Sequence, residues 1–161
     1  MSANRTWKVN FLRARGFDIV SQYMDKHILL PERETEKSAG YDIAIAEDVV
    51  LPAGEVKLVP TGLKAYMKSD EVLMIHIRSS MAVRHSLCLA NNTGIIDADY
   101  YNNAGNEGHI MLAILNFGKE PVHLKKGTRI AQGIFHVYLL ADNDVAGSGT
   151  ARQGGFGSTG R

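Results

Sequence analysis

The stretch Val-Val-Leu-Pro-Ala-Gly-Glu-Val-Lys-Leu-Val, residues 49–59, sets two short apolar runs on either side of a proline–glycine turn. Branched apolar runs separated by such turn residues are typical of consecutive β-strands. The pattern predicts strands at Val49 to Leu51 and Val56 to Val59, and it recurs at Val72 to Ile77, Leu87 to Leu89, Ile110 to Leu115 and Ile130 to Leu140. Many short strands at this spacing indicate an all-β sandwich or barrel, not alternating β/α units.

The bulk composition is that of one domain with a sizeable core: 161 residues, of which 45% are hydrophobic. A formal net charge of +1 gives no case for a nucleic-acid site. No apolar run approaches the roughly 20 residues that span a bilayer, and residues 1–15 lack a signal-peptide core. The single Cys88 cannot form an internal disulfide, and the histidines lack zinc-ligand spacing. These features predict a cytoplasmic protein with no membrane partner.

Changes in composition along the chain predict three parts. Residues 1–35 are polar, and we expect an irregular N-terminal arm there with at most a short helix between Asp18 and Met24. Residues 36–141 carry the strand signals and are expected to form the β-barrel core. From Asp142 the chain turns to Asp, Asn, Gly and Ser, so residues 142–161 are expected to form a mobile C-terminal tail.

The tail contains the run Arg-Gln-Gly-Gly-Phe-Gly-Ser-Thr-Gly, residues 152–160. Glycine buries no side chain and loses the most backbone entropy on ordering, so a packed core gains nothing from this run. Successive backbone N–H groups beside Ser158 and Thr159 would suit a phosphate, and Phe156 offers a flat face to a base. The alternative is a flexible Gly/Ser segment without a ligand.

Residues 91–100, Asn-Asn-Thr-Gly-Ile-Ile-Asp-Ala-Asp-Tyr, are the strongest chemical signal inside the core. Ile95 and Ile96 lie between Gly94 and the carboxylate of Asp97, a pattern expected of a tight hairpin that lines a buried pocket. A carboxylate held there can act as a general base toward water, an effect of roughly 10² to 10⁴ in rate. A plain β-hairpin with aspartates in its turn is the competing interpretation.

Three shorter segments carry further polar groups. Asp42 follows a small-residue turn, where aspartate is usually a turn former. The segment Arg78-Ser79-Ser80 follows a predicted strand and suits a phosphate through charge-assisted hydrogen bonds, with a solvated surface turn as the alternative. Gln132 lies in the final strand, where it either binds a ligand or faces water.

Taken together and in this order, the segments resemble the five motifs of the trimeric dUTP pyrophosphatase (dUTPase) family, from about Ser38 to Gly160. The resemblance implies a jelly-roll-like all-β subunit in a homotrimer with shared active sites that the tail closes. It also implies Mg²⁺-assisted hydrolysis of dUTP to dUMP and pyrophosphate by attack of water on the α-phosphorus. That reaction keeps uracil out of DNA and supplies dUMP for thymidylate synthesis.

The same resemblance implies a role for each motif residue. Asp97 matches the general base, and Asp42 matches the residue that binds Mg²⁺ through a water. The uracil and deoxyribose would lie against Asn91, Gly94, Ile96, Tyr100 and Phe156. The phosphates would contact Arg78, Ser79, Ser80, Gln132, Arg152, Gly157, Ser158 and Thr159.

The chain departs from the family pattern in two places. Ala151 occupies the commonest position of the tail arginine, and Arg152 lies one residue closer to Phe156. A longer polar loop, Tyr101 to Glu107, follows the motif tyrosine and alters either the pocket rim or a subunit contact.

Two other functions stand as alternatives. The dCTP deaminases share the fold that the resemblance implies, but the position of their catalytic glutamate is Ala113 here. A regulatory protein on the dUTPase scaffold would bind a protein partner, with the Tyr101 to Glu107 loop as its surface.

Overall fold

The computed structural model describes residues 13–145, which form twelve β-strands, one α-helix and two 3₁₀ turns. The helix α1 is Ser79–His85, and the 3₁₀ turns are Ser21–Tyr23 and Ala98–Tyr100. The strands are β1 Gly16–Ile19, β2 Glu32–Arg33, β3 Tyr41–Ala44, β4 Val49–Leu51, β5 Val56–Pro60, β6 Leu63–Tyr66, β7 Glu71–Ile77, β8 Leu87–Leu89, β9 Gly94–Asp97, β10 Met111–Asn116, β11 Val122–Leu124 and β12 Arg129–Val137.

The described strands pair in an antiparallel manner and form four sheets. The largest sheet has five strands in the order β2-β3-β12-β7-β9. A second sheet has the order β5-β10-β8, and the pairs β1-β6 and β11-β4 complete the barrel. The predicted all-β, jelly-roll-like fold is confirmed.

Alternation of side chains along the strands builds the core. In β10, Leu112 and Ile114 are buried, whereas Met111, Ala113 and Leu115 between them point to the other face. Each fully buried aliphatic side chain contributes roughly 1.5–3 kcal/mol relative to an exposed one. Side chains with almost no exposed surface include Ile43, Ile75, Leu87, Ile110 and Ile130.

The six predicted strands are all present, and two of them, β4 and β8, have the predicted bounds. The last strand ends at Val137 and not at Leu140, whose side chain is exposed. Sequence patterns missed β3, β6 and β11 because each has only three or four residues, with a polar side chain next to or between the apolar ones. Strand β9 lies in the segment that was expected to form a hairpin. A run that short gives too few repeats for a period of two to stand out.

The irregular arm predicted for residues 1–35 is wrong where the structure describes it. Strand β1 pairs with β6, and β2 pairs with β3. The ring of Phe17 packs against the rings of Tyr41 and Phe135, with centroids 5.8 and 5.4 Å away. This aromatic contact anchors a segment whose flanking residues are polar, which is why composition alone suggested an arm.

The short helix expected between Asp18 and Met24 is reduced to the 3₁₀ turn Ser21–Tyr23, because Asp18 lies in β1. Among the described residues, no helix has the length and apolar character needed to cross a membrane. Residues 1–12 and 146–161 lie outside the described part of the chain.

An ion pair fastens the start of the described chain to β7. Glu71 is 3% exposed, and its carboxylate accepts hydrogen bonds from two guanidinium nitrogens of Arg15, the Nε at 3.0 Å. The backbone N–H of Lys68 donates to the same carboxylate at 3.2 Å. These hydrogen bonds, that from Arg15 first, hold the pKa of Glu71 below its ordinary value despite burial.

We expect Glu71→Gln to lower the free energy of unfolding at pH 7 and to flatten its dependence on pH. A depressed carboxyl pKa stabilises the fold above the unfolded-state value of about 4.3, and that contribution disappears as pH falls through the folded-state pKa. Urea denaturation from pH 7 to pH 3 measures both effects. Asp70→Asn, at the exposed neighbouring position, is the control, and an equal acid response in wild type and Glu71→Gln would contradict the assignment.

Candidate active site

A pocket of about 240 Å³ lies beside β9 and contains most of the residues expected to hold a base and sugar. Strand β9 is the edge of the five-stranded sheet, so one side of its backbone is unpaired within that sheet. Gly94 permits close packing there, because a Cβ at this position would lie 3.3 Å from the Cβ of Ile75. The residues that line the pocket include Asn91, Gly94, Ile96, Tyr100, Leu89 and Ala113.

Tyr100 is fixed on the pocket wall. Its side chain is 5% exposed, and its hydroxyl donates to the carbonyl oxygen of His109 at 3.0 Å. The Nε2 of His109 accepts a hydrogen bond from the backbone N–H of Gly62 at 2.9 Å. This acceptor role requires a neutral ring, and burial lowers the pKa of His109 accordingly. The ring of Tyr100 therefore has a defined orientation.

Asp97 is the last residue of β9 and precedes the 3₁₀ turn Ala98–Tyr100. Its backbone is extended and its side chain is partly buried. The turn that follows brings Tyr100 back toward the pocket. Asp97 itself is not among the residues that line the pocket, but it directly follows Ile96, which is.

A second polar cluster gathers at the ends of β3, β7 and β12. Asp42 and Gln132 are cross-strand partners, and Arg78 follows directly after β7. The Nε of Arg78 lies 3.2 Å from Oδ1 of Asp42, and a guanidinium N–H of Arg78 donates to the carbonyl of Arg129 at 3.3 Å. The segments around Asp42, Arg78 and Gln132, which are separate in sequence, therefore meet at one end of the sheet.

Asp42 has an unusual carboxylate. Its side chain is 10% exposed, and Oδ2 lies 3.1 Å from a guanidinium nitrogen of Arg129. Within the described residues this buried Oδ2 nevertheless has no hydrogen-bond partner. A buried carboxylate oxygen in this state has capacity for one more donor.

Arg129 was missed as a site residue in the sequence reasoning. It binds Asp42 and also Glu34. The signal was available, because Arg129 lies three residues before Gln132 in the same motif.

Ser79 and Ser80 open helix α1, where a surface turn was the competing interpretation. Arg78 takes the N-cap position, and its side chain does not cap the helix. The first backbone N–H groups of a helix have no acceptor within it. Ser79 and Ser80 therefore expose hydroxyls and backbone donors beside the Arg78 guanidinium.

The two clusters lie far apart within one chain. Gln132 pairs with Asp42 on β3 and with His76 on β7, whereas Asp97 pairs with Val72. Four residues along the strand and three strand spacings across the sheet separate Asp42 from Asp97, a distance of about 20 Å at standard β-sheet spacing. A single small ligand at Asp97 cannot reach the Asp42 cluster of the same chain.

The predicted tail residues Phe156, Arg152, Gly157, Ser158 and Thr159 lie outside the described residues, as does Ala151. The predicted Tyr101 to Glu107 loop is described and folds against its own chain. The Glu107 carboxylate accepts hydrogen bonds from the N–H and hydroxyl of Ser21, each at 2.7 Å.

Comparison with known proteins agrees with the family that these motifs resemble. The family model described as dUTPase matches residues 26–160 of this chain. A deoxyuridine 5'-triphosphate nucleotidohydrolase of Lactococcus lactis is 50% identical over 149 residues, covering 92% of this chain and 99% of the relative. The chain belongs to the dUTPase family.

Other relatives and solved structures support the same assignment. A Rickettsia felis deoxyuridine 5'-triphosphate nucleotidohydrolase is 40% identical over 136 residues, covering 81% of this chain and 88% of that protein. The crystal structure of dUTPase from Streptococcus mutans superposes with a TM-score of 0.76 at 46% identity, covering 80% of this chain and 99% of that one. A dUTPase from phage phi11 of S. aureus, described with a coordinated structural Mg(II) ion, shares the fold at 20% identity and a TM-score of 0.66, covering 84% and 97%.

We expect Gly40→Ala to destabilise this dUTPase by about 1–3 kcal/mol, the usual range for inserting a methyl group into a well-packed region. The new Cβ would lie 2.4 Å from Oε1 of Gln132 and 3.1 Å from its Cβ, so the Gln132 side chain must move. Urea denaturation measures the loss. In a Gln132→Ala background the penalty should at least halve, because the clashing amide is gone, and an undiminished penalty would contradict the contact.

Proposed function

We propose that the protein hydrolyses dUTP to dUMP and pyrophosphate by attack of a water on the α-phosphorus. The observation that carries the proposal is the pocket of about 240 Å³ beside β9, which Ile96 lines and whose strand ends at Asp97. The two curated relatives described above are named for this substrate. The reaction removes dUTP before it enters DNA and yields dUMP for thymidylate synthesis.

Base selection follows from the edge strand. Uracil presents an N3–H donor and an O4 acceptor, whereas cytosine reverses both. Fixed backbone groups of β9 and the side chain of Asn91 would pair with uracil and be left unpaired against cytosine, a mismatch that can discriminate by roughly 10⁴ to 10⁵. A close-fitting backbone would also leave no room for the methyl group of thymine. Ile96 and Tyr100 would hold the deoxyribose, with the Tyr100 ring excluding a 2′-hydroxyl.

Asp97 would accept the proton of the attacking water. A carboxylate oriented by the end of a strand can remove this proton as the new P–O bond forms. The leaving group is pyrophosphate, so the electron pair of the broken P–O bond goes to its bridging oxygen. No covalent enzyme intermediate is required.

The Arg78 cluster would hold the triphosphate. Arg78 carries the fixed positive charge, and Ser79, Ser80 and Gln132 offer neutral donors beside it. The tail would complete the site, with Phe156 over the uracil and Arg152, Gly157, Ser158 and Thr159 at the outer phosphates. A segment that orders on substrate binding acts as a closing lid.

The residues present also fit a magnesium ion. Among the described residues, no group of three or more potential ligands is placed to hold a metal directly. The ion would be held mainly by the phosphates and by waters. The Oδ2 of Asp42 forms an ion pair with Arg129 but has no hydrogen-bond partner among the described residues, so it is suited to accept a hydrogen bond from a metal-bound water. Mg²⁺ bound there would neutralise part of the phosphate charge.

The separation of the two clusters supports a shared site in a homotrimer. Since Asp97 and Asp42 of one chain lie about 20 Å apart, the Arg78 cluster of one subunit must meet the β9 pocket of another. An apolar surface is available for such a contact, because the outer face of β5-β10-β8 carries only apolar side chains among the described residues. This face consists of Val56, Leu58, Met111, Ala113, Leu115 and Cys88.

Deamination of dCTP is disfavoured by the composition of the pocket wall. Ala113 lines the cavity at the position of the deaminase glutamate, so no acid or base is supplied from that strand. A regulatory role through the Tyr101 to Glu107 loop receives little support, because Glu107 and Tyr101 bind residues of their own chain.

Asp97→Asn should lower kcat for pyrophosphate release from dUTP by about 10² to 10⁴, because an amide cannot accept the proton of the water. KM for dUTP should change little, since the amide keeps the shape of the side chain. Asp99→Asn, two residues away on the exposed side of the same turn, is the matched control and should retain activity.

Full activity of Asp97→Asn, or equal losses in both variants, would contradict the assigned role. Ammonia release from dCTP in the same assay would contradict the assigned reaction.

A further inference from the structure

The loop of residues 101–107, which is longer than the family pattern requires, surrounds Tyr100 with hydrogen bonds. The Nδ2 of Asn106 donates to the Tyr100 hydroxyl at 2.7 Å, and the Nδ2 of Asn103 donates to the Tyr100 carbonyl at 2.8 Å. The hydroxyl itself donates to the carbonyl of His109 at 3.0 Å. Both ends of this tyrosine are therefore held by the loop and the residues that follow it.

Hydrogen bonds within the loop hold Asn106 in place beside Tyr100. The Oδ1 of Asn103 accepts from the N–H groups of Gly105 and Asn106, and the Oδ1 of Asn106 accepts from the N–H of Gly108. Gly108 has φ +83°, and a Cβ there would lie 2.5 Å from the Tyr100 carbonyl oxygen. Only glycine allows this closure. The outer side of the loop is tied down by Glu107.

We propose that Asn106 is a positioning residue that fixes the Tyr100 ring and thereby sets the preference for deoxyribose over ribose. The inference depends on the proposed function, in which the Tyr100 ring lies against the sugar. With the hydroxyl held between Asn106 and His109, the ring cannot withdraw to admit a 2′-hydroxyl. Loss of the Asn106 donor leaves a buried hydroxyl under-satisfied and frees the ring to shift.

Asn106→Asp removes the amide donor, whose Nδ2 also lies 3.5 Å from the carbonyl oxygen of His109. The carboxylate keeps an oxygen for the N–H of Gly108 and the Nδ2 of Asn103. The Tyr100 hydroxyl has one proton, so it can then donate either to this carboxylate or to the carbonyl of His109, and it loses one of its two partners. Asn102→Asp is the matched control, because the same chemical change in the same loop falls on contacts with the Lys64 ammonium, 2.7 Å from Oδ1 of Asn102, and with the Tyr101 side chain, not with Tyr100. Tyr100→Phe removes the hydroxyl, and with it both the hydrogen bond from Asn106 and the one to the carbonyl of His109.

The measurement is kcat/KM for dUTP and for UTP with each full-length variant. Asn106→Asp should lower the ratio of dUTP to UTP by about tenfold, the effect of losing one buried hydrogen bond. The fall in this ratio should come mainly from changes in KM and not in kcat, because the attacking water and its base are untouched. Asn102→Asp should keep the wild-type ratio.

The double variant Asn106→Asp/Tyr100→Phe separates positioning from a general structural effect. If Asn106 acts through the hydroxyl, the double variant should have the ratio of Tyr100→Phe alone. A wild-type ratio in Asn106→Asp, or losses that add in the double variant, would overturn the inference. Failure of the proposed function is a different result, because wild type would then release no pyrophosphate from dUTP.

Discussion

The pairing of β12 with β3 on one side and β7 on the other is the constraint on which the rest of the structure depends. It pairs Gln132 with Asp42 and brings Arg78 to the same end of the sheet. The same register, continued through β7 to β9, sets Asp97 at the opposite end of the sheet. A slip of one residue in this pairing would turn each polar site residue to the other face. The fold therefore sets the two clusters of the candidate site about 20 Å apart within one chain.

The motifs could be recognised from the sequence because their chemistry is local. Asn91, Gly94, Ile96 and Tyr100 lie within ten residues, and a pocket between them needs only a strand and a turn. The strand at residues 49–51 was equally accessible, since branched apolar residues next to a proline–glycine turn leave few alternatives. Short-range patterns thus carried both the fold class and half of the candidate site.

What sequence could not supply was long-range pairing. Strand β1 depends on Phe17 meeting the rings of Tyr41 and Phe135, which are distant along the chain. Arg129 depends in the same way on the carboxylate of Asp42 on a neighbouring strand. The 101–107 loop is close to Tyr100 in sequence. Its contact with Tyr100 could not be predicted, however, because it depends on a buried hydroxyl that binds both Asn106 and the carbonyl of His109. Burial and register, not residue identity, decide these features.

The central claim is that Asp97 of one subunit acts on a triphosphate held by Arg78 of another. Subunit complementation tests it most directly: Asp97→Asn and Arg78→Ala chains are unfolded, mixed in equal amounts and refolded together. If each site of a closed trimer takes these residues from different subunits, about one quarter of the sites are intact in the mixture. Activity near that fraction, from two variants that are each inactive alone, is the predicted result. A mixture no more active than its components would contradict the account.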